Sequence, residues 1–149
     1  MGKKHILGLE LKTLMNMMRR AAEEKSMPQD CCDLTSTQAA VMEYLMENKG
    51  KDVFQKDLES CFQIRRSTIT GILQGMERRG LIRRELAAHD ARLKRLILTE
   101  RAEAVCLEVE ERFRYIEDRA MEGVSEEEKE VFFSVMDQMK QNLMETEFL

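Results

Sequence analysis

The stretch from Leu58 to Thr99 constrains the fold of this chain more than any other, because two short helices and a hairpin follow one another there with almost no linker. Residues 56–62 and 67–79 have helical patterns, a tight turn at 63–66 separates them, and Gly80 ends the second helix. Residues 81–85 and 93–98 have the pattern of two strands around a polar tip at 88–90, which predicts a β-hairpin. This order predicts a helix-turn-helix followed by a two-stranded wing.

Positive charge is concentrated in the same part of the chain. Residues 64–101 contain ten Arg and Lys against four Asp and Glu, a net +6, whereas the whole chain carries −4 and the remainder therefore −10. A weakly acidic protein that places its positive charge on one helix and one hairpin has a surface on which a polyanion can dock. The pattern therefore predicts binding to double-stranded DNA.

Helical patterns flank this stretch on both sides, over residues 5–24, 35–48, 99–121 and 125–143. Thr35 with Gln38, and Ser125 with Glu128, have the spacing of capping boxes. We therefore expect a mainly α fold with a small β-wing. Its expected parts are an N-terminal dimerisation helix and linker (1–33), a winged helix-turn-helix DNA-binding domain (34–99) and C-terminal dimerisation helices (100–149).

The terminal helices carry more apolar residues than such a small DNA-binding module needs. They either complete the core of a monomer or, as we expect, pair with a second copy of the chain. Helix-turn-helix proteins commonly read DNA as symmetric pairs, with half-sites about 34 Å apart. A homodimer on a pseudo-palindromic operator is therefore the expected assembly.

Several residue blocks can be compared with known families: Leu34-Thr35-x-x-Gln38, Lys56-Asp57-Leu58, Ser67-Thr68-Ile69-Thr70, Met76 to Ile82, Asp90-x-Arg92 and Leu98-Thr99-Glu100. Their order and content resemble the MarR family of bacterial winged-helix transcription regulators over nearly the whole chain. The resemblance implies a DNA-binding transcription regulator, which we expect to act as a repressor. One departure is Ala102, where family members commonly have Gly, at the entry to the long helix.

The second helix of the helix-turn-helix is the expected recognition helix. Ile69, Ile72, Leu73 and Met76 recur at helical spacing and predict its buried face. Outward hydroxyls and an amide can bind phosphates and base edges, and a threonine methyl can touch a thymine methyl. Gly71 and Gly75 either permit close approach to DNA or to a packed neighbour, or are tolerated weak points of the helix. The residues expected to meet DNA are Arg65, Arg66, Ser67, Thr68, Thr70, Gly71 and Gln74.

Asp90, Arg92 and Lys94 are the candidate DNA-binding residues of the wing. The resemblance implies that Arg92 enters the minor groove, with the Asp90 carboxylate orienting its guanidinium. The alternative is an ordinary exposed ion pair between the two. The cations that alternate along the strands, Arg83, Arg84, Lys94 and Arg95, are candidates for backbone contacts only.

Other function classes find little support in the sequence. His5 and His89 lie in a terminal helix and at the wing tip without a catalytic motif around them, so we do not expect an enzyme. We expect no cofactor or metal, because Cys31, Cys32, Cys61 and Cys106 form no CxxC pair. We also expect no signal peptide and no membrane span, and hence a cytoplasmic protein. The remaining alternative is a winged helix that serves only as an architectural or protein-contact module.

Regulation is expected through a small aromatic or phenolic effector, because the resemblance implies a cleft between the dimer helices and the winged domain. Met15, Met18, Met42 and Met46 are the candidates to line it, although methionines at helical spacing also serve as plain core. Some family members instead sense oxidation through a cysteine near the start of the first helix, but residues 5–24 contain none. Acidic neighbours disfavour the thiolates of Cys31 and Cys32, and Cys61 and Cys106 are expected to be packed.

Overall fold

The structure, a computed structural model, describes residues 4–24 and 34–144. Within these residues the elements are α1 (Leu7–Glu24), α2 (Ser36–Glu47), α3 (Gln55–Phe62), α4 (Arg66–Arg78), β1 (Ile82–Ala87), β2 (Asp90–Leu98), α5 (Glu100–Ala120) and α6 (Glu126–Met144). The predicted mainly helical fold with a hairpin wing is confirmed, with element ends shifted by one to three residues. Residues 26–30, where Pro28 predicts a break after the first helix, lie outside the described residues.

The chain divides into two compact units, residues 1–116 and 117–149. In the first unit, α2, α3, α4, both strands and the first half of α5 contribute to one apolar cluster. Leu58 from α3 and Ile69, Leu73 and Met76 from α4 have no exposed surface. Burial of each such side chain contributes about 1.5–3 kcal/mol to the free energy of unfolding, so these four residues stabilise the packing of α3 and α4.

Helix α2 begins where its capping box predicts. The Thr35 hydroxyl accepts from the Gln38 backbone N–H, and the Gln38 side-chain oxygen accepts from the Thr35 N–H, each at 3.2 Å. Gly50, at φ +90°, follows the helix in the left-handed conformation that glycine adopts readily at helix ends. Helical spacing predicts Ala40, Val41, Tyr44 and Leu45 on the buried face, but Ala40 and Tyr44 are only half-buried. Its buried members are Ala39, Val41, Met42 and Leu45.

Strands β1 and β2 form an antiparallel hairpin in which Leu86 lies opposite Lys94. The register shifts between Leu86 and Ala87, which places an irregularity next to the tip. On the outer edge of β2, the Leu96 N–H donates to the Val53 carbonyl at 2.8 Å. The segment that precedes α3 is thereby attached to the wing, and the wing is anchored to the helix-turn-helix.

Thr99 joins the base of the hairpin to the long helix. Its hydroxyl donates to the Gly80 carbonyl at 2.6 Å and accepts from the Ala102 N–H at 3.2 Å. One side chain therefore both closes the hairpin and caps α5. Ala102, which stands where glycine is common in the family resembled, has no exposed surface and belongs to the core cluster, so its methyl group is packed.

The second unit contains the end of α5 and all of α6. The predicted capping box at its start is confirmed, because Ser125 N–H donates to Glu128 at 2.9 Å and Glu128 N–H donates to the Ser125 hydroxyl at 3.2 Å. The large apolar side chains of α6 remain exposed, including Val131, Phe132, Phe133, Val135 and Leu143. No helix in the described part of the chain has the length and hydrophobicity needed to cross a membrane.

Candidate nucleic-acid interface

Helix α4 presents one face to the core and leaves the opposite face to solvent. Ile69, Leu73 and Met76 are buried and Ile72 is half-buried, as the spacing predicts. Arg65 occupies the N-cap, where the unpaired backbone N–H groups of a helix favour phosphate. Most of the predicted contact residues are exposed: Arg65, Arg66, Ser67, Thr68, Gly71 and Gln74. These six residues are therefore accessible to a ligand at this surface.

Thr70 differs from the other predicted contact residues, because it is half-buried and its hydroxyl is already engaged. The hydroxyl donates to the Arg66 carbonyl at 2.7 Å and accepts from the side-chain amide of Gln55 at 2.8 Å. A hydroxyl has a single hydrogen, so while this arrangement holds it cannot also donate to a base or a phosphate. Thr70 therefore lies nearer the core than an outward-facing residue would, and its contact with DNA stays a prediction.

The glycines of α4 are not explained by close packing within the protein. A methyl group added at Gly71 would meet nothing within 4 Å, and one added at Gly75 would meet only the side-chain ends of Arg78 and Gln38, at 3.8 Å. Of the alternatives that the sequence left open, the packed neighbour can therefore be set aside within the described residues. Close approach of DNA and a tolerated weakness remain.

Three of the hairpin arginines are tied to acidic residues of the protein. Arg95 donates to Glu85 at 2.9 Å and to Asp52 at 3.2 Å, and Arg83 donates to Glu85 at 2.9 Å. The bonds from Arg83 and Arg95 hold the pKa of the Glu85 carboxyl below its ordinary range. Arg84, which is largely buried, pairs in the same way with Glu77 of α4. These ion pairs connect the two wing strands with each other, with Asp52 and with α4, so the three arginines are less available to DNA than an unpaired cation.

Arg92 and Lys94 lie nearer the tip and remain available. The Arg92 side chain is 94% exposed, and Lys94 is exposed two residues further along β2. The Asp90 carboxylate accepts from the Arg92 backbone N–H at 2.9 Å and lies 3.6 Å from its Nε atom. Asp90 therefore fixes the backbone of the tip more closely than it fixes the guanidinium.

The four methionines predicted to line an effector cleft are not brought together. Met42 belongs to the core and has no exposed surface, and Met15 is exposed on α1. Met18 is half-buried on the same helix. Met46 borders a cavity of about 150 Å³ between α2 and α5, which the other three methionines do not line. The other residues that line this cavity are Glu43, Glu47, Cys106, Val109 and Glu110.

The cysteines lie in different environments. Cys61 is exposed, contrary to the expectation that it is packed, whereas Cys106 is buried. Burial raises the pKa of the Cys106 thiol to about 11, and the negative charges of Glu103, Glu43 and Glu110 act in the same direction. Cys31 and Cys32 lie outside the described residues. In the part of the chain that the structure describes, no group of His, Cys, Asp and Glu is arranged to hold a metal ion.

The chain is similar to known proteins in both sequence and fold. A family model described as the MarR family matches residues 33–93. The crystal structure of the transcription regulator MarR from Oenococcus oeni PSU-1 is 32% identical, covers 91% of this chain and 99% of that one, and has a TM-score of 0.75.

Two further solved structures share the fold at lower identity. MepR of S. aureus, crystallised as a DNA complex, is 23% identical over 93% of this chain and 99% of that one, with a TM-score of 0.80. The PcaV transcriptional regulator from Streptomyces coelicolor, in complex with its natural ligand, is 20% identical over 95% and 98%, with a TM-score of 0.76.

Proposed function

This chain belongs to the MarR family of DNA-binding transcription regulators, which are not enzymes, and from that premise we propose that it represses transcription as a homodimer. The dimer binds a pseudo-palindromic operator in duplex DNA and is released by a small-molecule effector. The observation that carries this proposal is the set of exposed cations at the start of α4 and at the wing tip.

The positions of the exposed basic residues support one DNA-binding surface in each protomer. Arg65 and Arg66 stand at the helix end that favours phosphate, and Ser67, Thr68 and Gln74 offer donors and acceptors along the same exposed surface. Recognition helices of this kind place their N-terminal residues against base edges in the major groove. Arg92 and Lys94 would then contact the adjacent minor groove and its phosphates.

The exposed apolar surfaces of the terminal helices support pairing with a second copy. Leu7, Leu11, Leu14 and Met15 of α1 are exposed, as are Phe132, Phe133 and other large side chains of α6. Helices with so much exposed apolar surface are typical of interfaces whose partner is absent. A twofold dimer presents two recognition helices, which accounts for an operator with two half-sites about 34 Å apart.

The effector is proposed to be a small aromatic or phenolic molecule in uncharged form that enters the cavity beside Met46. Glu43, Glu47 and Glu110 at its walls disfavour an anion, while Met46 and Val109 provide apolar contact. Such a ligand releases DNA only if it prefers a dimer with wrongly spaced recognition helices over the DNA-binding form. We propose that the dimer acts in the cytoplasm and represses where its bound operator overlaps a promoter.

The proposal is tested by selecting binding sequences from a pool of random duplexes and measuring the mass of the complex by sedimentation. We expect an inverted-repeat consensus bound by two copies of the chain. A monomer at micromolar concentration that still binds DNA tightly would contradict the dimer. Recovery of no consensus, with equal binding to all duplexes, would favour an architectural module instead.

A further inference from the structure

We propose that Gln55 is a positioning residue for DNA readout: it fixes the side chain of Thr70 and holds the first turns of the recognition helix against α3. The inference rests on the sequence-specific binding proposed above. Gln55 is the first residue of α3 and lies fifteen positions before Thr70, so its bond crosses from one helix of the helix-turn-helix to the other.

The polarity of the contact explains why a hydrogen-bond donor is needed at position 55. The single hydrogen of the Thr70 hydroxyl is directed to the Arg66 carbonyl, at 2.7 Å. The group that faces the remaining lone pairs must therefore donate, and the side-chain nitrogen of Gln55 does so at 2.8 Å. A bond from threonine back to its own helix is common and carries no information by itself. The second bond, from the neighbouring helix, is what makes the arrangement specific.

The location of the bond determines what it can control. Leu58, Ile69 and Leu73 are fully buried and fix how α3 and α4 pack along their inner faces. Apolar contacts of this kind are not directional, so they define the rotation of α4 about its axis less sharply than a hydrogen bond does. A hydrogen bond is directional, and this one joins the N-terminal first turn of α3 to the second turn of α4, next to exposed Ser67 and Thr68. Gln55 therefore acts on base readout through Thr70, without removing or adding any charge at the DNA surface.

The experiment uses the full-length protein and two probes, namely its consensus duplex from selection and a random-sequence duplex of equal length. Gln55→Met keeps the length of the side chain and loses its donor, and Thr70→Val keeps the shape and loses the hydroxyl. Each is expected to lower the ratio of consensus to random affinity about fivefold, the size of one neutral hydrogen bond. Affinity for the random duplex and the salt slope should stay unchanged, because no cation is lost.

The double variant decides whether Gln55 acts through Thr70. If it does, Gln55→Met with Thr70→Val loses about fivefold, like either single variant, whereas independent residues would lose about 25-fold. In a Thr70→Ser background, where the hydroxyl is retained, Gln55→Met must again cost about fivefold. Ser60→Ala, an exposed substitution on the same helix, is the matched control and should change neither probe.

Three results would overturn the inference: an unchanged ratio in Gln55→Met, additive losses in the double variant, or an equal loss on both probes, which would indicate a direct contact with the DNA backbone. Helical circular dichroism reports separately on folding, so an equal loss counts only for a folded variant, and Thr70→Val gives an independent route to the same bond should Gln55→Met unfold. Absence of any consensus would refute sequence-specific binding itself, and the inference with it. A consensus that is insensitive to Gln55 would refute the inference alone.

Discussion

Replacing Leu11 and Leu14 of α1 together by alanine should separate the protomers of the proposed dimer. Leu11 and Leu14 are 39% and 44% exposed in the single chain, so a partner could cover a surface area close to that of one whole leucine. Full burial of a leucine contributes about 1.5–3 kcal/mol, so each protomer would lose roughly 1–2.5 kcal/mol of association free energy.

Twofold symmetry doubles this loss, because each substitution occurs on both sides of the interface. The total of about 2–5 kcal/mol corresponds to a dissociation constant raised by about 30-fold to several thousand-fold. Sedimentation velocity over a dilution series measures this constant directly. The Tm should also depend on protein concentration in the parent chain, since dimers gain stability by mass action.

Leu86→Ala is the matched control, because Leu86 is also an exposed leucine, at 59%, but lies on the wing. It should leave the dissociation constant unchanged. If the α1 variant keeps its helical circular dichroism and its dissociation constant rises by less than about threefold, under 1 kcal/mol, then these leucines do not lie in the interface. The assignment of α1 to dimerisation would then be wrong.

Three further predictions follow from single residues. Arg92→Ala should weaken binding to all duplexes and lower the salt-dependence slope by about one, as measured by titration at several salt concentrations; an unchanged slope would contradict the wing assignment. Met76→Ala should lower the free energy of unfolding by about 2–5 kcal/mol in denaturant titrations, because the side chain is fully buried; a loss below 1 kcal/mol would show that the site collapses. Cys106, with a pKa raised to about 11, should react with a thiol reagent far more slowly than Cys61 at neutral pH and accelerate as the pH rises towards 11; equal rates at neutral pH would show that burial does not protect it.

Local signals in the sequence predicted most of the fold. The capping boxes at Thr35 and Ser125 involve residues only three positions apart, and both are present. The buried face of α4 likewise follows from helical spacing alone. These features could be predicted because the interactions that determine them lie within one or two helical turns.

The pairing of charged and polar groups could not be predicted in the same way. Arg95 pairs with Asp52, 43 residues away, and the bond between Gln55 and Thr70 crosses between helices. Neither contact has a periodic signal in the sequence. Apolar residues are also hard to assign from the sequence. Helical spacing places Met42 on an inner face, but it does not distinguish a packed core, where Met42 lies, from the wall of a cleft.

The ion pairs within the protein change how the positive charge of residues 64–101 should be interpreted. The net +6 of residues 64–101 counts every arginine equally, yet Arg83, Arg84 and Arg95 are held by carboxylates of the same protein. A paired cation gives up much of its attraction for phosphate, because its partner repels the same anion. We therefore expect Arg65, Arg66 and the wing-tip cations Arg92 and Lys94 to contribute more to DNA affinity than the three paired arginines do. The pair between Arg84 and Glu77 joins β1 to α4, and we expect it to help hold the wing beside the proposed recognition helix.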